Sequence, residues 1–161
     1  MVVQETYLLW EKTASSLTQM EEAAHSLVKK LQRGDTLYLF GSLGVGKTAF
    51  VRFCIQALIG EGIQVPSPTF TIANVYEGVG STIWHLDLYR INSVEEIKEL
   101  GFWENVEESI IFIEWPEKLE ALQDPEALYI FLTEEREVRT IRCKGNFRWK
   151  KRFEHVVHGS P

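Results

Sequence analysis

Apolar residues recur along the chain with the two periods that distinguish helices from strands. Helical spacing from Met20 onward predicts a first helix, which opens at Thr18 with a capping box and ends at Gly34. Residues 47–58 predict a second helix, and the capping box at Ser93 predicts a short third one. Runs rich in β-branched and aromatic residues predict strands at residues 6–10, 36–40, 70–76, 82–87, 109–114, 128–132 and 138–143. Helices alternating with strands predict an α/β fold.

Two of the predicted strands, residues 70–76 and 82–87, are separated by a turn-like segment and therefore predict a hairpin. If Tyr76 pairs with Thr82, then Thr71 lies opposite Asp87 at the open end of the hairpin. The threonine-rich loop at residues 67–71 and Asp87 are then expected to share one site.

Composition is that of an ordinary globular protein, since 45% of the 161 residues are apolar and 25% are charged. Without an internal repeat or a linker-like segment, we expect residues 1–161 to form a single domain. Cys54 and Cys143 lack the spacing of a metal or redox pair, which suits free core thiols in a reducing compartment. We expect no signal peptide, no contact with a membrane and a cytoplasmic location, because no basic start precedes an apolar stretch.

Charge is unevenly distributed along the chain. Residues 1–135 carry 9 basic and 21 acidic side chains, whereas residues 136–161 carry 8 basic and 2 acidic ones. In the basic segment, Lys and Arg interleave with Phe147, Trp149 and Phe153, a pattern compatible with RNA phosphate contact and base stacking. Contact with tRNA through this C-terminal segment is one interpretation, and an acidic protein partner is the other.

A complete phosphate-binding motif, Gly-x-x-x-x-Gly-Lys-Thr, follows the predicted strand at residues 36–40 and opens the second helix. Its glycines let backbone N–H groups converge on phosphate oxygens at a helix N-terminus. Lys47 would neutralise the β- and γ-phosphates, and the Thr48 hydroxyl would ligate Mg²⁺. The predicted nucleotide-binding residues of this loop are Gly41, Ser42, Leu43, Gly44, Val45, Gly46, Lys47 and Thr48.

A magnesium nucleotide site also needs a carboxylate at a strand end, and two acids compete for that position. Asp87 ends one predicted strand beside the threonine-rich loop, and Glu114 ends another after a more apolar run. One acid would order metal-bound water and the other would orient the attacking water. The pattern alone does not decide which acid takes which role.

Three further features lie close to these acids in the sequence. Residues 67–71, Ser-Pro-Thr-Phe-Thr, offer hydroxyl groups on a proline-stiffened loop that could sense a γ-phosphate, although an ordinary turn is the alternative. We interpret His85 as a packed core histidine rather than a base, on the strand face away from Asp87. Trp115 is either a core residue, which the pattern favours, or an aromatic face near the nucleotide.

Four segments together resemble the TsaE family, also called YjeE, the bacterial ATPase of tRNA threonylcarbamoyladenosine biosynthesis. They are residues 41–48, the Ser-Pro-Thr-Phe-Thr segment 67–71, His-Leu-Asp-Leu-Tyr-Arg at 85–90 and Glu-Trp-Pro-Glu at 114–117. The resemblance implies a three-layer P-loop NTPase fold with a mixed central sheet flanked by helices. It also implies hydrolysis of ATP with Mg²⁺ in support of a threonylcarbamoyl transferase subunit and its non-catalytic relative, proteins of the TsaD and TsaB type. The modified adenosine is adjacent to the anticodon.

The same resemblance implies a role for each matching residue. Lys47 binds phosphate and supports catalysis, and Thr48 and Asp87 lie on the metal side. Thr69 belongs to the switch-like loop, and Glu114 supports hydrolysis.

Contacts with the nucleotide base are implied for Thr18, Trp115 and Arg139. One position departs from the family, because its members usually carry an acid after the first loop glycine, where this chain has Ser42. Phosphate binding uses the backbone at this position, so we expect binding to survive.

Two other functions remain alternatives at this point. A small-molecule or nucleotide kinase shares the loop and the size, but residues 77–126 contain only Arg90 where such kinases usually carry a lid of arginines. The other alternative is a module that binds nucleotide to license assembly without turnover. A GTP switch is disfavoured, because the sequence has no Asn/Thr-Lys-x-Asp tetrad.

Overall fold

A computed structural model describes residues 4–155, in which seven strands form one sheet. The strands are β1 Tyr7–Ala14, β2 Thr36–Phe40, β3 Ala73–Glu77, β4 Thr82–Asp87, β5 Ser109–Glu114, β6 Leu128–Glu135 and β7 Val138–Gly145. The α-helices are α1 Leu17–Val28, α2 Lys47–Ile59, α3 Val94–Glu99 and α4 Phe147–Glu154, and 3-10 helices span Phe102–Glu108 and Pro116–Leu122. Within residues 4–155, no helix combines the length and the apolar character needed to cross a bilayer.

The sheet is mixed, with strand order β1-β7-β6-β2-β5-β4-β3. Strands β6, β2, β5 and β4 run parallel, and the outer pairs β1–β7, β7–β6 and β4–β3 are antiparallel. Parallel strands end at the same edge of a sheet, and ligands of open α/β sheets bind outside their carboxyl ends. The ends of β2, β4 and β5 therefore deliver Phe40, Asp87 and Glu114 to one edge.

Two apolar clusters cover the two faces of the sheet. In β2, Leu37 and Leu39 belong to the cluster that includes α1 and α2, whereas Tyr38 belongs to the cluster that includes α3. This alternation is the strand period of two, with both faces buried as in parallel sheets. Cys54 and Cys143 are fully buried in the first cluster, and burial raises the pKa of both thiols, which confirms their core role.

The N-cap of helix α1 is Ser16, two residues before the predicted cap Thr18. Ser16 has extended backbone angles and its hydroxyl accepts a hydrogen bond from the Gln19 N–H at 3.2 Å, while Gln19 Oε1 accepts from the Ser15 N–H at 2.8 Å. Thr18 already has a helical position and is exposed. The prediction of Thr18 as the cap is wrong, because a cap needs non-helical backbone angles and the chain leaves β1 soon enough for Ser16 to adopt them.

The β3–β4 hairpin is shifted by one residue from the predicted register. Tyr76 pairs with Ile83, and Ala73 pairs with Leu86. A four-residue connection, closed by a 2.9 Å hydrogen bond from the Gly78 N–H to the Ser81 carbonyl, replaces the five-residue turn assumed from sequence. The predicted pairing of Thr71 with Asp87 is therefore wrong.

Helix α4 turns Trp149 into the protein interior and packs the partly buried Phe153 against the core, while Phe147 is exposed. Trp149 is fully buried and its Nε1–H donates to the Glu126 carbonyl at 2.7 Å. Arg152 Nη1 donates to the buried Asp35 carboxylate at 2.6 Å. Stacking of Trp149 on RNA bases is therefore a wrong interpretation, since helix formation turns this side chain inward.

We expect Trp149→Ala to lower the free energy of unfolding by about 3–5 kcal/mol, because it removes a buried aromatic side chain and leaves a cavity under α4. Phe147→Ala is the matched control from the same helix, since Phe147 is 54% exposed, and it should cost about 0.5 kcal/mol or less. Urea unfolding followed by circular dichroism measures both. Equal losses would contradict the docking of α4 through Trp149.

Candidate active site

Residues 41–46 form the loop between β2 and α2, and Lys47 and Thr48 are the first two residues of α2. Gly46 caps α2 with a left-handed φ of 114°, a conformation that glycine adopts without steric cost. At Gly41 a side chain is excluded, because a Cβ would lie 2.8 Å from both the Leu132 carbonyl oxygen and Val45 Cγ1. The loop therefore wraps closely around the N-terminus of α2, where unpaired N–H groups and the helix dipole attract anions.

Lys47 lies folded across this loop and is only 5% exposed. Its ammonium group donates to the carbonyl oxygens of Gly41 and, at 3.2 Å, of Ser42, and it lies 3.9 Å from the centroid of the Trp115 ring. Burial lowers the pKa of Lys47, and the negative charge of Glu114 opposes this shift. A bound phosphate would compete with the two carbonyl oxygens for this buried cation.

Ser42 contributes backbone atoms to the loop. Its carbonyl oxygen accepts hydrogen bonds from the Val45 N–H and from Lys47 Nζ, both at 3.2 Å. The loop is thus shaped by main-chain contacts at the position where the side chain departs from the family pattern.

The two candidate acids lie side by side, because Asp87 and Glu114 are register partners at the ends of β4 and β5. Both are buried, with 5% and 2% of their surface exposed. The Thr48 hydroxyl donates to Glu114 Oε1 at 2.8 Å, and the Thr69 hydroxyl donates to Asp87 Oδ2 at 3.2 Å. Glu114 therefore contacts the phosphate-binding helix, and Asp87 contacts the threonine-rich loop.

The shared site that the hairpin argument predicted does exist, but a different threonine forms it. Thr69 occupies the position expected for Thr71, whose hydroxyl donates instead to Asn74 Oδ1 at 2.8 Å. The Asp87 N–H donates to the Ile72 carbonyl at 2.8 Å and ties the loop to the end of β4.

His85 is a residue of the site that the sequence analysis missed. It is fully buried, as expected for a core histidine, but its Nε2 lies 2.6 Å from Glu114 Oε2. The expectation that His85 faces away from Asp87 is wrong, because residues two apart on a strand share a face. Correct use of this period would have placed His85 beside the two acids.

Left-handed backbone at two non-glycine residues flanks the acids. Ile72, which accepts the hydrogen bond from Asp87, has φ 68°, and Trp115, which follows Glu114, has φ 58°. Such conformations cost about 1–3 kcal/mol each and cluster at functional sites. The strain lies where the chain turns away from the two carboxylates.

A cleft of about 190 Å³ lies between the phosphate-binding loop, Thr69 and the two acids. Its lining contains most of the predicted site residues, namely Leu43, Gly44, Gly46, Lys47, Thr48, Thr69, Asp87, Glu114 and Trp115, together with Ala49. Trp115 lines the cleft and also packs against the apolar cluster beneath it and against Tyr89, with ring centroids 4.9 Å apart. Trp115 therefore packs in the core and also presents its ring to the cleft, while its contact with the nucleotide stays a prediction.

Two residues predicted to contact the base lie outside this lining. Thr18 is exposed at the start of α1, and Arg139 Nε donates to the Val45 carbonyl at 2.8 Å. Arg139 therefore supports the backbone of the phosphate-binding loop. Base contact by either residue stays a prediction.

Comparison with known proteins identifies the family. The family profile described as "Threonylcarbamoyl adenosine biosynthesis protein TsaE" matches residues 14–141. The chain belongs to the TsaE family. This confirms the resemblance seen in the sequence and the assignment to tRNA threonylcarbamoyladenosine biosynthesis.

Individual TsaE proteins match over most of the chain. The tRNA threonylcarbamoyladenosine biosynthesis protein TsaE of Rickettsia conorii is 39% identical over 120 residues, which are 74% of this chain and 69% of that protein. The protein of the same name from Streptomyces coelicolor is 37% identical over 113 residues, 65% of this chain and 73% of its own.

The structural comparison agrees on the fold. The crystal structure of YdiB from Bacillus subtilis superposes with a TM-score of 0.73 at 22% identity, covering 95% of this chain and 94% of YdiB. The predicted P-loop NTPase fold with a mixed, helix-flanked sheet is confirmed.

We expect the fluorescence of Trp115 to report nucleotide binding, because phosphate would draw the Lys47 ammonium group away from the indole ring. Emission should change on titration with ATP and Mg²⁺ in the unmodified protein. It should change equally in Trp103→Phe, a control that removes a tryptophan outside the cleft lining. The change should be lost in Trp115→Phe. If Trp115→Phe still gives the full fluorescence change, the change does not come from movement of the Lys47 ammonium group at Trp115.

Proposed function

We propose that this TsaE-family chain binds ATP with Mg²⁺ and hydrolyses it as an accessory protein of tRNA threonylcarbamoyladenosine modification. The observation that carries the proposal is the contact between Thr48 of the phosphate-binding helix and the buried carboxylate of Glu114 at 2.8 Å. It joins the part of the site suited to phosphate with an acid that can act on water.

Phosphate recognition follows from the loop and its lysine. The N-terminus of α2 offers backbone N–H groups, and Lys47 adds a buried positive charge beside them. Because the ammonium group is already shielded from bulk water, its attraction to a phosphate oxygen is stronger than that of an exposed lysine. This arrangement supports binding of a nucleotide through its terminal phosphates.

The oxygen donors around Thr48 fit Mg²⁺, which prefers hydroxyl, carboxylate and water oxygens. Because the Thr48 hydroxyl donates a hydrogen bond to Glu114, the lone pairs of its oxygen stay available for a cation. Asp87, the acid assigned to the metal side, lines the same cleft. Bound Mg²⁺ would neutralise charge on the phosphate oxygens, while these residues hold it in place.

Glu114 is suited to orient the water that attacks the γ-phosphate. Both of its oxygens are engaged, by Thr48 and by His85, so the direction of the carboxylate is defined. In phosphoryl transfer the protein contributes mainly through positioning and charge, and a fixed carboxylate supplies both.

A protein partner at the mouth of the cleft is supported by exposed apolar side chains. Leu43 of the phosphate-binding loop is 73% exposed, Phe70 of the threonine-rich loop is 83% exposed, and Tyr89 after β4 is 47% exposed. Apolar residues grouped around a site favour contact with another protein. We propose that the partner is a transferase complex of TsaD-type and TsaB-type subunits, so that nucleotide turnover changes this contact. A tRNA contact through the basic C-terminal segment stays a separate prediction.

We expect Lys47→Ala to weaken ATP binding strongly, and Glu114→Gln to bind ATP normally while hydrolysing it about 100-fold more slowly or worse. Isothermal titration calorimetry measures binding, and phosphate release with the partner complex present measures turnover. Glu108→Gln is the matched control, since Glu108 is exposed and precedes β5, at the opposite end of that strand from Glu114. Normal hydrolysis by Glu114→Gln would refute the assigned role. Tight ATP binding without phosphate release in the unmodified protein would favour a module that binds without turnover.

The assignment of Asp87 to the metal side gives a separate expectation. Asp87→Asn should raise the Mg²⁺ concentration needed for half-maximal ATP binding by about 10-fold or more, whereas Glu114→Gln should shift it less. The readout is a titration of Mg²⁺ at fixed ATP with each variant. If Glu114→Gln shifts the Mg²⁺ requirement more than Asp87→Asn does, the two acids have the opposite roles.

A further inference from the structure

We propose that His85 is a positioning residue for Glu114. It donates its Nε2–H to Glu114 Oε2 and so holds the opposite carboxylate oxygen against Thr48. This inference rests on the proposed role of Glu114 in hydrolysis.

The carboxylate of Glu114 is held from two sides. His85 Nε2 lies 2.6 Å from Oε2, and the Thr48 hydroxyl lies 2.8 Å from Oε1. His85 is fully buried and Glu114 is 2% exposed, so water does not compete freely for these hydrogen bonds. With both oxygens engaged, rotation of the carboxylate would break at least one contact.

The second ring nitrogen of His85 defines the tautomer. Nδ1 is buried and has no hydrogen-bond partner among residues 4–155. A buried N–H without an acceptor is costly, whereas an unprotonated ring nitrogen requires no acceptor. The ring therefore carries its proton on Nε2 and acts toward Glu114 as a donor.

The surroundings of His85 argue against a purely structural role. In the sheet it pairs with Asn74 of β3 and with Phe112 of β5, in the interior of the β3–β4–β5 segment. An apolar side chain of similar volume would fill this position without the desolvation cost of a polar ring. Within the described part of the chain, the only hydrogen bond that the polar ring makes is to Glu114. What histidine adds over an apolar residue is therefore that it orients this carboxylate.

The location of His85 also separates its expected effects. His85 contacts Glu114 but is not part of the cleft lining. Its loss should therefore change the rate of hydrolysis and leave the affinity for ATP nearly unchanged. A residue that merely supported the fold would alter both.

Two substitutions test the inference. His85→Phe keeps the ring volume and removes the donor, while His85→Gln places an amide N–H at about the position of Nε2. We expect His85→Phe to lower kcat by about 10-fold or more, with Kd for ATP within about 3-fold, and His85→Gln to restore most of the rate. Unchanged kcat in His85→Phe, or equal loss in both variants, would overturn the inference.

A measurement without turnover distinguishes this inference from the proposed function. Long-range ¹H–¹⁵N NMR spectra of the full chain should show His85 with an unprotonated Nδ1 and a protonated Nε2, with the signal assigned by its loss in His85→Gln. Glu114→Gln should shift the Nε2 resonance, whereas the control Glu108→Gln should not. A protonated Nδ1, or no response to Glu114→Gln, would overturn the contact even if ATP is hydrolysed. If the spectra are as expected but the protein does not hydrolyse ATP, the proposed function is refuted and the contact between His85 and Glu114 stands.

Discussion

The site depends on one buried carboxylate that must find partners inside the protein. Glu114 is 2% exposed, and removing a carboxylate from water costs several kcal/mol unless hydrogen bonds compensate. Its partners are Thr48 at the start of α2 and His85 on β4. The carboxylate thereby connects three elements, β5, α2 and β4, and a displacement of α2 or β4 would remove one of the two hydrogen bonds of this buried charge. The geometry of the site is thus tied to the stability of the sheet.

Sequence alone predicted the elements that carry this connection. β2, β4 and β5 have the predicted bounds, since each is a largely apolar, β-rich run that ends at a glycine loop or an acid. The phosphate-binding motif also fixed the start of α2 at Lys47. Asp87 and Glu114 were expected in one magnesium nucleotide site, and the parallel pairing of β4 with β5 explains why they lie together.

Two of the errors in the sequence analysis, the hairpin register and the surface position of Trp149, arose where the local sequence is compatible with more than one structure. The hairpin register depended on whether the connection has four or five residues, and a one-residue difference exchanged Thr71 for Thr69 beside Asp87. For Trp149, an aromatic residue among cations suits a nucleic-acid surface as well as an amphipathic helix. Only tertiary packing, through the Glu126 carbonyl, distinguishes the two. Contacts such as these form between segments distant in sequence and leave no local pattern.

Internal hydrogen bonding also determines how strongly the site can respond to a ligand. Lys47 donates to the Gly41 and Ser42 carbonyls and lies over Trp115, so a phosphate gains only the difference between its own contacts and these. Thr69 is likewise already paired with Asp87. Exchange of these internal partners for a bound phosphate would break contacts at the cleft mouth and so offset part of the binding free energy. Under the proposed function, release of these contacts would alter the surface that a partner protein meets.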